Sequence, residues 1–184
     1  MVTTMNDPLP LAALGRRICI LGPSSNGKST LATAIGHKLG IPAVHLDLFF
    51  HLPNTDWVQR PKDEFYALHD AAIEGDSWVM DGNYSSAMPQ RFARATGAIL
   101  VGAPRLANLM RYFNRTLFQT KRFGALEGNK DSVKWEMIHW LLFVQSRNRG
   151  KYDAMLAEAG MPVVRMNSMA EINRYYRTWG LERP

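Results

Sequence analysis

The stretch Gly22-Pro23-Ser24-Ser25-Asn26-Gly27-Lys28-Ser29-Thr30 follows directly on the apolar run Ile18-Cys19-Ile20-Leu21. It matches G-x-x-x-x-G-K-[S/T] at every fixed position, with a strand-like pattern before it and a helix-like pattern after it. Glycines let the backbone turn so that successive amides face inward, and the positive end of the following helix adds to the attraction for an anion. Lys28 can reach the outer phosphates of a nucleoside triphosphate, and the Ser29 hydroxyl can ligate Mg2+. Gly22, Ser24 to Gly27, Lys28, Ser29 and Thr30 are therefore the expected nucleotide contacts, with ATP and Mg2+ as the expected cofactors.

Around this loop, short apolar runs alternate with helix-like stretches, which predicts an α/β domain with a parallel sheet covered by helices on both faces. Strands are expected at Arg17–Leu21, Ala43–Leu46, Trp78–Met80, Ala98–Val101 and Val163–Met166. The first helix should bury Leu31, Ile35 and Leu39 and stop at Gly40. A second, after "RPKDE", should turn Phe65, Leu68 and Ala72 inward and end near Gly75. Leu106, Leu109, Met110, Phe113 and Leu117 repeat at helical spacing, with Arg111 and Arg115 together on a neighbouring face. A further helix is expected over 132–148. Residues 1–15 read as a loose extension, and 16–184 as one domain.

Two carboxylates stand where open α/β sheets bind ligands, just beyond strands: Asp47 in "VHLDLFF" and Asp81 in "WVMDGNY". A carboxylate there can accept a proton from a hydroxyl or hold Mg2+ through water. Trp57 and Arg60 lie between the second and third strands, where a stacking ring and an anion-gripping fork suit an acceptor. Tyr84 can hydrogen-bond an acceptor or fill the cleft. The histidines have no metal-ligand spacing, and with one cysteine a zinc site is not expected. Cys19, in an apolar run, reads as core packing.

"GPSSNGKSTLA", "HLDLFF" and "WVMDGNY" with Arg91 resemble the adenylate-kinase-like branch of P-loop kinases. Within it they are most similar to small bacterial proteins related to a DNA topology modulation protein. The resemblance spans about residues 16 to 170 and implies a five-stranded parallel sheet of order 2-3-1-4-5, an acceptor-binding segment at 48–75 and an arginine-bearing lid at 105–150. It places Asp81-Gly82 near Mg2+ and the acceptor, and Asp47 near the acceptor. Arg105, Arg111 and Arg115 fall where the branch enters its lid. Adenylate kinases have Asp-Gly-Phe-Pro-Arg, whereas this chain has Asp81-Gly82-Asn83-Tyr84 and reaches an arginine only at Arg91. That departure counts against a standard monophosphate acceptor.

The chain has 184 residues, 46% hydrophobic and 21% charged, with a net charge of +6. That composition suits one globular domain. Seven cations and no Asp or Glu fall between Gly82 and Leu126: Arg91, Arg94, Arg105, Arg111, Arg115, Lys121 and Arg122. A cluster of one sign serves either polyphosphate or nucleic acid. Arg111 and Arg115 are read as catalytic, and Arg122 and Arg147 as lid residues closing on phosphate. The start of the chain does not read as a secretory signal, no window is long enough for a membrane span, and a reducing cytoplasm is expected. The leading expectation is a kinase moving phosphoryl from ATP to a small acceptor: a nucleoside, nucleotide or other metabolite. The alternative is a nucleic-acid-associated NTPase or regulator.

Overall fold

The computed structural model describes residues 8–102 and 145–184, the side chains of 145–149 excepted. Strand β1 (Arg17–Leu21) alternates its burial between two cores: Ile18 and Ile20 join one, Cys19 and Leu21 the other, and all four are fully buried. A strand buried on both sides belongs in the middle of a parallel sheet. Its neighbours are β3 (Trp78–Asp81) and β4 (Gly97–Val101), with β2 (Ala43–His45) and β5 (Val163–Met166) outside them. All pairings are parallel and the order is β2-β3-β1-β4-β5. The expected sheet is thus present. Because β1 has a strand from either half of the fold on each side, the crevice at its carboxyl end is the natural ligand position.

Helix α1 (Lys28–Leu39) buries Leu31, Ala32 and Ile35 and closes with the Ile41 N–H returning to the Gly36 carbonyl at 3.0 Å. The second strand stops at His45, one residue short of the expected Leu46. Leu46 instead opens a short helix α2 (Leu46–Phe50), not expected from the sequence, so Asp47 lies in a first helical turn. In α3 (Lys62–Ile73) the inward face is Phe65, His69 and Ile73, while Leu68 is exposed. This corrects the expected face: a period of four residues wins, although it buries an imidazole and leaves a leucine in water. Helix α4 (Met88–Arg94), α5 (Gln145–Ala159) and α6 (Met169–Thr178) complete the described helices. α6 is capped reciprocally: Ser168 Oγ accepts from the Glu171 N–H, and the Glu171 carboxylate accepts from the Asn167 N–H. No described helix is long and apolar enough to cross a membrane.

The loose extension expected at 1–15 is corrected over its second half. Leu11 and Leu14 are buried in the α1-side core, and the Trp179 indole donates to the Leu9 carbonyl at 2.9 Å. Two leucines and a tryptophan partner give this segment apolar burial that a free tail lacks. Cys19 packs in the core as expected, and burial pushes its thiol up to about 11, against the opposing charge of Arg91.

His69 has a consequence for stability. Its Nδ1 faces the Asp70 carboxylate at 2.8 Å, its Nε2 has no partner among the described residues, and burial lowers its pKa from the ordinary 6.5. Below pH 6.5 the unfolded chain therefore takes up a proton that the folded chain resists, so stability falls as the pH falls. Urea unfolding above and below pH 6.5 should show a smaller acid loss for His69→Leu than for the wild type. An equal loss would assign the acid sensitivity elsewhere.

Candidate phosphate-binding and acceptor site

The loop after β1 begins at Gly22, whose φ is +133° and where a Cβ would stand 2.0 Å from the Val101 carbonyl oxygen. Only glycine fits that backbone and that approach. Its two backbone polar groups are taken by one side chain: Asn83 Oδ1 accepts from the Gly22 N–H and Asn83 Nδ2 donates to the Gly22 carbonyl, each at 3.0 Å. At the other end of the loop, Ser29 Oγ donates to Asp81 Oδ2 at 2.7 Å. Lys28 Nζ donates to the Pro23 carbonyl at 2.8 Å, across the loop. Ser24, Ser25, Asn26, Gly27 and Thr30 lie between or beside these anchors, so the loop residues singled out from the sequence are brought together.

Asp81 ends β3 and is 5% exposed. Besides Ser29 it holds His45, whose Nδ1 lies 2.6 Å from Asp81 Oδ1. The chain then turns at Gly82, φ +127°, where a Cβ would press on Leu46 at 2.9 Å. Tyr84 follows and donates its hydroxyl to Asp47 Oδ1 at 2.5 Å. Its ring packs on Phe50 and Phe65, with centroids 4.8 and 5.3 Å apart. Burial, then the neighbouring Asp47 carboxylate, push the Tyr84 phenol far above its ordinary value, so it remains a donor at any working pH. Asp47 itself is exposed. The two expected carboxylates are therefore both at the strand ends, tied to the loop and to Tyr84 respectively.

Arg91 requires a correction. Expected on the acceptor, it is fully buried in α4 and donates from an NH2 group to the Asn83 carbonyl at 2.9 Å. Its Nε and other terminal nitrogen have no partner among the described residues. Desolvation lowers its pKa, and the charge of Asp81 works against that fall. A side chain so enclosed cannot reach a molecule in the crevice; it braces the residue that braces Gly22. Arg60 is likewise turned to its own segment, with Nε on the Phe49 carbonyl at 2.9 Å and a terminal nitrogen 3.3 Å from Glu64. Trp57 is half-buried and meets His51 edge-on at 5.3 Å, as a residue packing this excursion onto the body does. Arg105, Arg111, Arg115 and Arg122 lie outside the described residues, as does the side chain of Arg147.

Sequence reasoning missed Asn83 and His45. Asn83 had a signal, since it replaces the Phe of the adenylate-kinase Asp-Gly-Phe-Pro-Arg run. His45 had none of that kind, because one histidine beside one aspartate is not a spacing motif.

Among solved structures, the chain is similar to a gluconokinase from Sinorhizobium meliloti 1021, with a TM-score of 0.55 and 14% identity over 90% of each chain. It is also similar to a protein from Chloroflexus aurantiacus described as a "putative kinase", with a TM-score of 0.51 and 17% identity over 87% of this chain and 95% of that one. At such identities the likeness shows a shared fold alone. No family model and no curated protein matches the chain.

The Asn83 clamp can be tested directly. Asn83→Ala removes two hydrogen bonds and leaves Gly22 polar groups unmatched, which should lower stability by about 1–3 kcal/mol. Asn83→Asp should be worse, because a carboxylate faces the Gly22 carbonyl where an amide donated. Denaturant unfolding that shows both variants as stable as the wild type would remove the clamp.

Proposed function

We propose that the protein is an ATP- and Mg2+-dependent kinase that phosphorylates a hydroxyl of a small molecule. The observation that carries this reading is the Ser29–Asp81 contact of 2.7 Å beside a phosphate loop, with Asp47 at the neighbouring strand end. The kinase names of the two structural neighbours support it. The residues fit nucleotide and cation: Ser25 Oγ is buried in the loop without a partner among the described residues, and nothing stands within 4 Å of where a Cβ on Gly27 would project.

When bound, ATP with Mg2+ supplies the transferable phosphoryl group and neutralises part of its charge. The chain does the positioning. Backbone amides of the loop and the Lys28 ammonium would hold phosphate oxygens, Lys28 leaving the Pro23 carbonyl to do so. Asp81 takes the Ser29 proton in a hydrogen bond, which leaves an Oγ lone pair for the cation. Asp47, steadied by Tyr84 through one oxygen, would accept with the other the proton of the acceptor hydroxyl, whose oxygen bonds to the γ-phosphorus as the bond from that phosphorus to the ADP oxygen breaks. Both carboxylates can also hold the cation through water. Tyr84 and the 48–75 segment, whose shape Trp57 and Arg60 hold from within, would flank the acceptor, and Arg111, Arg115, Arg122 and Arg147 would meet phosphate charge.

A nucleic-acid role draws on the run of seven cations between Gly82 and Leu126. Two of them are already engaged: Arg91 donates to the Asn83 carbonyl and Arg94 to the Glu74 carbonyl at 2.9 Å. Salt separates the readings, since duplex binding weakens steeply as salt rises and turnover of a small acceptor does not.

The deciding experiment is an acceptor panel with ATP and Mg2+, reading ADP against a blank without acceptor. Lys28→Ala should abolish transfer in a folded protein, and near-normal turnover there would sink the kinase reading. Asp47→Asn and Asp81→Asn should each cost on the order of 10²–10⁴ in rate while nucleotide still binds. Full activity in either would reduce that residue to a structural one. Tyr84→Phe should lower kcat roughly tenfold by releasing Asp47, with less effect on the KM for ATP. Matched losses in both constants would show instead that losing the hydroxyl disturbs the site as a whole rather than releasing Asp47.

A further inference from the structure

His45 is the last residue of β2 and stands in register with Asp81 across the parallel pair. Neighbours in register present their side chains to the same side of the sheet, here the side on which α1 packs. His45 Nδ1 lies 2.6 Å from Asp81 Oδ1, and His45 Nε2 lies 3.5 Å from Thr33 Oγ1. Thr33 Oγ1 in turn donates to the Ser29 carbonyl at 3.0 Å, and Ser29 Oγ donates to Asp81 Oδ2 at 2.7 Å. The contacts close a ring that leaves Ser29 by its side chain and returns to it by its backbone.

We propose that His45 is a positioning residue for the cation side of the site, fixing the Asp81 carboxylate so that its second oxygen holds the Ser29 proton away from the metal. The inference rests on the kinase reading and deepens it. A free carboxylate turns about its Cβ–Cγ bond and offers either oxygen, in any plane, to Ser29. With one oxygen held by His45 Nδ1 and the carboxylate buried, one orientation remains. That orientation points the Ser29 proton at Asp81 Oδ2 and frees an Oγ lone pair in the direction of the loop. His45 is a side-chain partner behind a ligand, the kind of residue whose loss typically costs 10–100-fold in metal affinity or activity.

Asn and Gln separate this role from packing. An Asn at 45 places its amide near the Nδ1 position and can donate to Asp81; a Gln places its amide near Nε2 and cannot reach Oδ1 in the same way. The readout is ATP affinity of the full chain with Mg2+ and with EDTA, alongside the Mg2+ dependence of turnover. His45→Gln should bind ATP like the wild type in EDTA but lose about tenfold of the affinity that Mg2+ adds. His45→Asn should recover most of it. Thr33→Val, which cuts the other arm of the ring, should shift Mg2+ dependence in the same direction by less. An unchanged Mg2+ gain in His45→Gln overturns the inference and leaves the kinase reading standing. So does an equal loss in Asn and Gln, or a loss that appears equally in EDTA. A wild-type protein whose ATP binding is indifferent to Mg2+ and to Lys28→Ala overturns both.

Discussion

A loop that offers its amides to phosphate cannot use them to hold itself together, so something else must fix its shape. Here that something is the end of β3. Asn83 grips Gly22 at the loop's entrance and Asp81 grips Ser29 at its exit. Both anchors depend on the pairing of β1 with β3, which sets Ile20 beside Asp81. Ile20 and Val79 face the α1 side, and so therefore does Asp81. A slip of one residue would turn Asp81 to the opposite face, away from Ser29. The apolar pattern of the sheet thus fixes the chemistry at its edge, because the core chooses the register and the register chooses which carboxylate meets the loop.

The second layer of support comes from a buried guanidinium. A buried arginine with no carboxylate in hydrogen-bond contact among the described residues is costly, and its lowered pKa expresses that cost. What it provides is a charged donor to the Asn83 carbonyl, stronger than a neutral one. Tyr84, the next residue, sits at φ +30°, an uncommon backbone for a ring-bearing residue. Between them, the Arg91 bond behind Asn83 and the aromatic contacts of Tyr84 force a turn that the local sequence would not adopt alone. Strain of this kind persists where surrounding structure over-determines it, and here it lies next to the proposed chemistry.

The sheet and the phosphate loop were legible because they rest on local rules: alternating short apolar runs, and glycines at fixed offsets after one of them. The placement of Asp47 and Asp81 at strand ends was legible from the apolar runs before them, and strand ends in an open sheet are where ligands bind. The direction of Arg91 was not, because composition cannot distinguish a charge that faces a ligand from one that faces a backbone carbonyl. Leu68 and His69 show the same limit within one helix. Hydropathy ranks leucine inward, but Phe65 and Ile73 fix a face that passes through His69. The Ser168–Glu171 cap is written in the chain as S-x-x-E, which marks the helix start at Met169. The Leu9–Trp179 contact joins residues 170 apart, beyond any pattern in a local window.

Asp47 and Asp81 differ in the way a site needs two carboxylates to differ. Asp81 is almost wholly buried and both its oxygens already accept, one from Ser29 and one from His45. Taking up a proton would break one of those contacts, so it is suited to hold geometry beside a cation. Asp47 is exposed, and only Oδ1 has a donor among the described residues, the Tyr84 hydroxyl. Its second oxygen is available to an incoming hydroxyl. Exchanging the two residues' roles would require Asp81 to give up an anchor of the loop at the moment the loop holds phosphate. In the proposed kinase, the loop's support therefore suits Asp47 rather than Asp81 to move a proton.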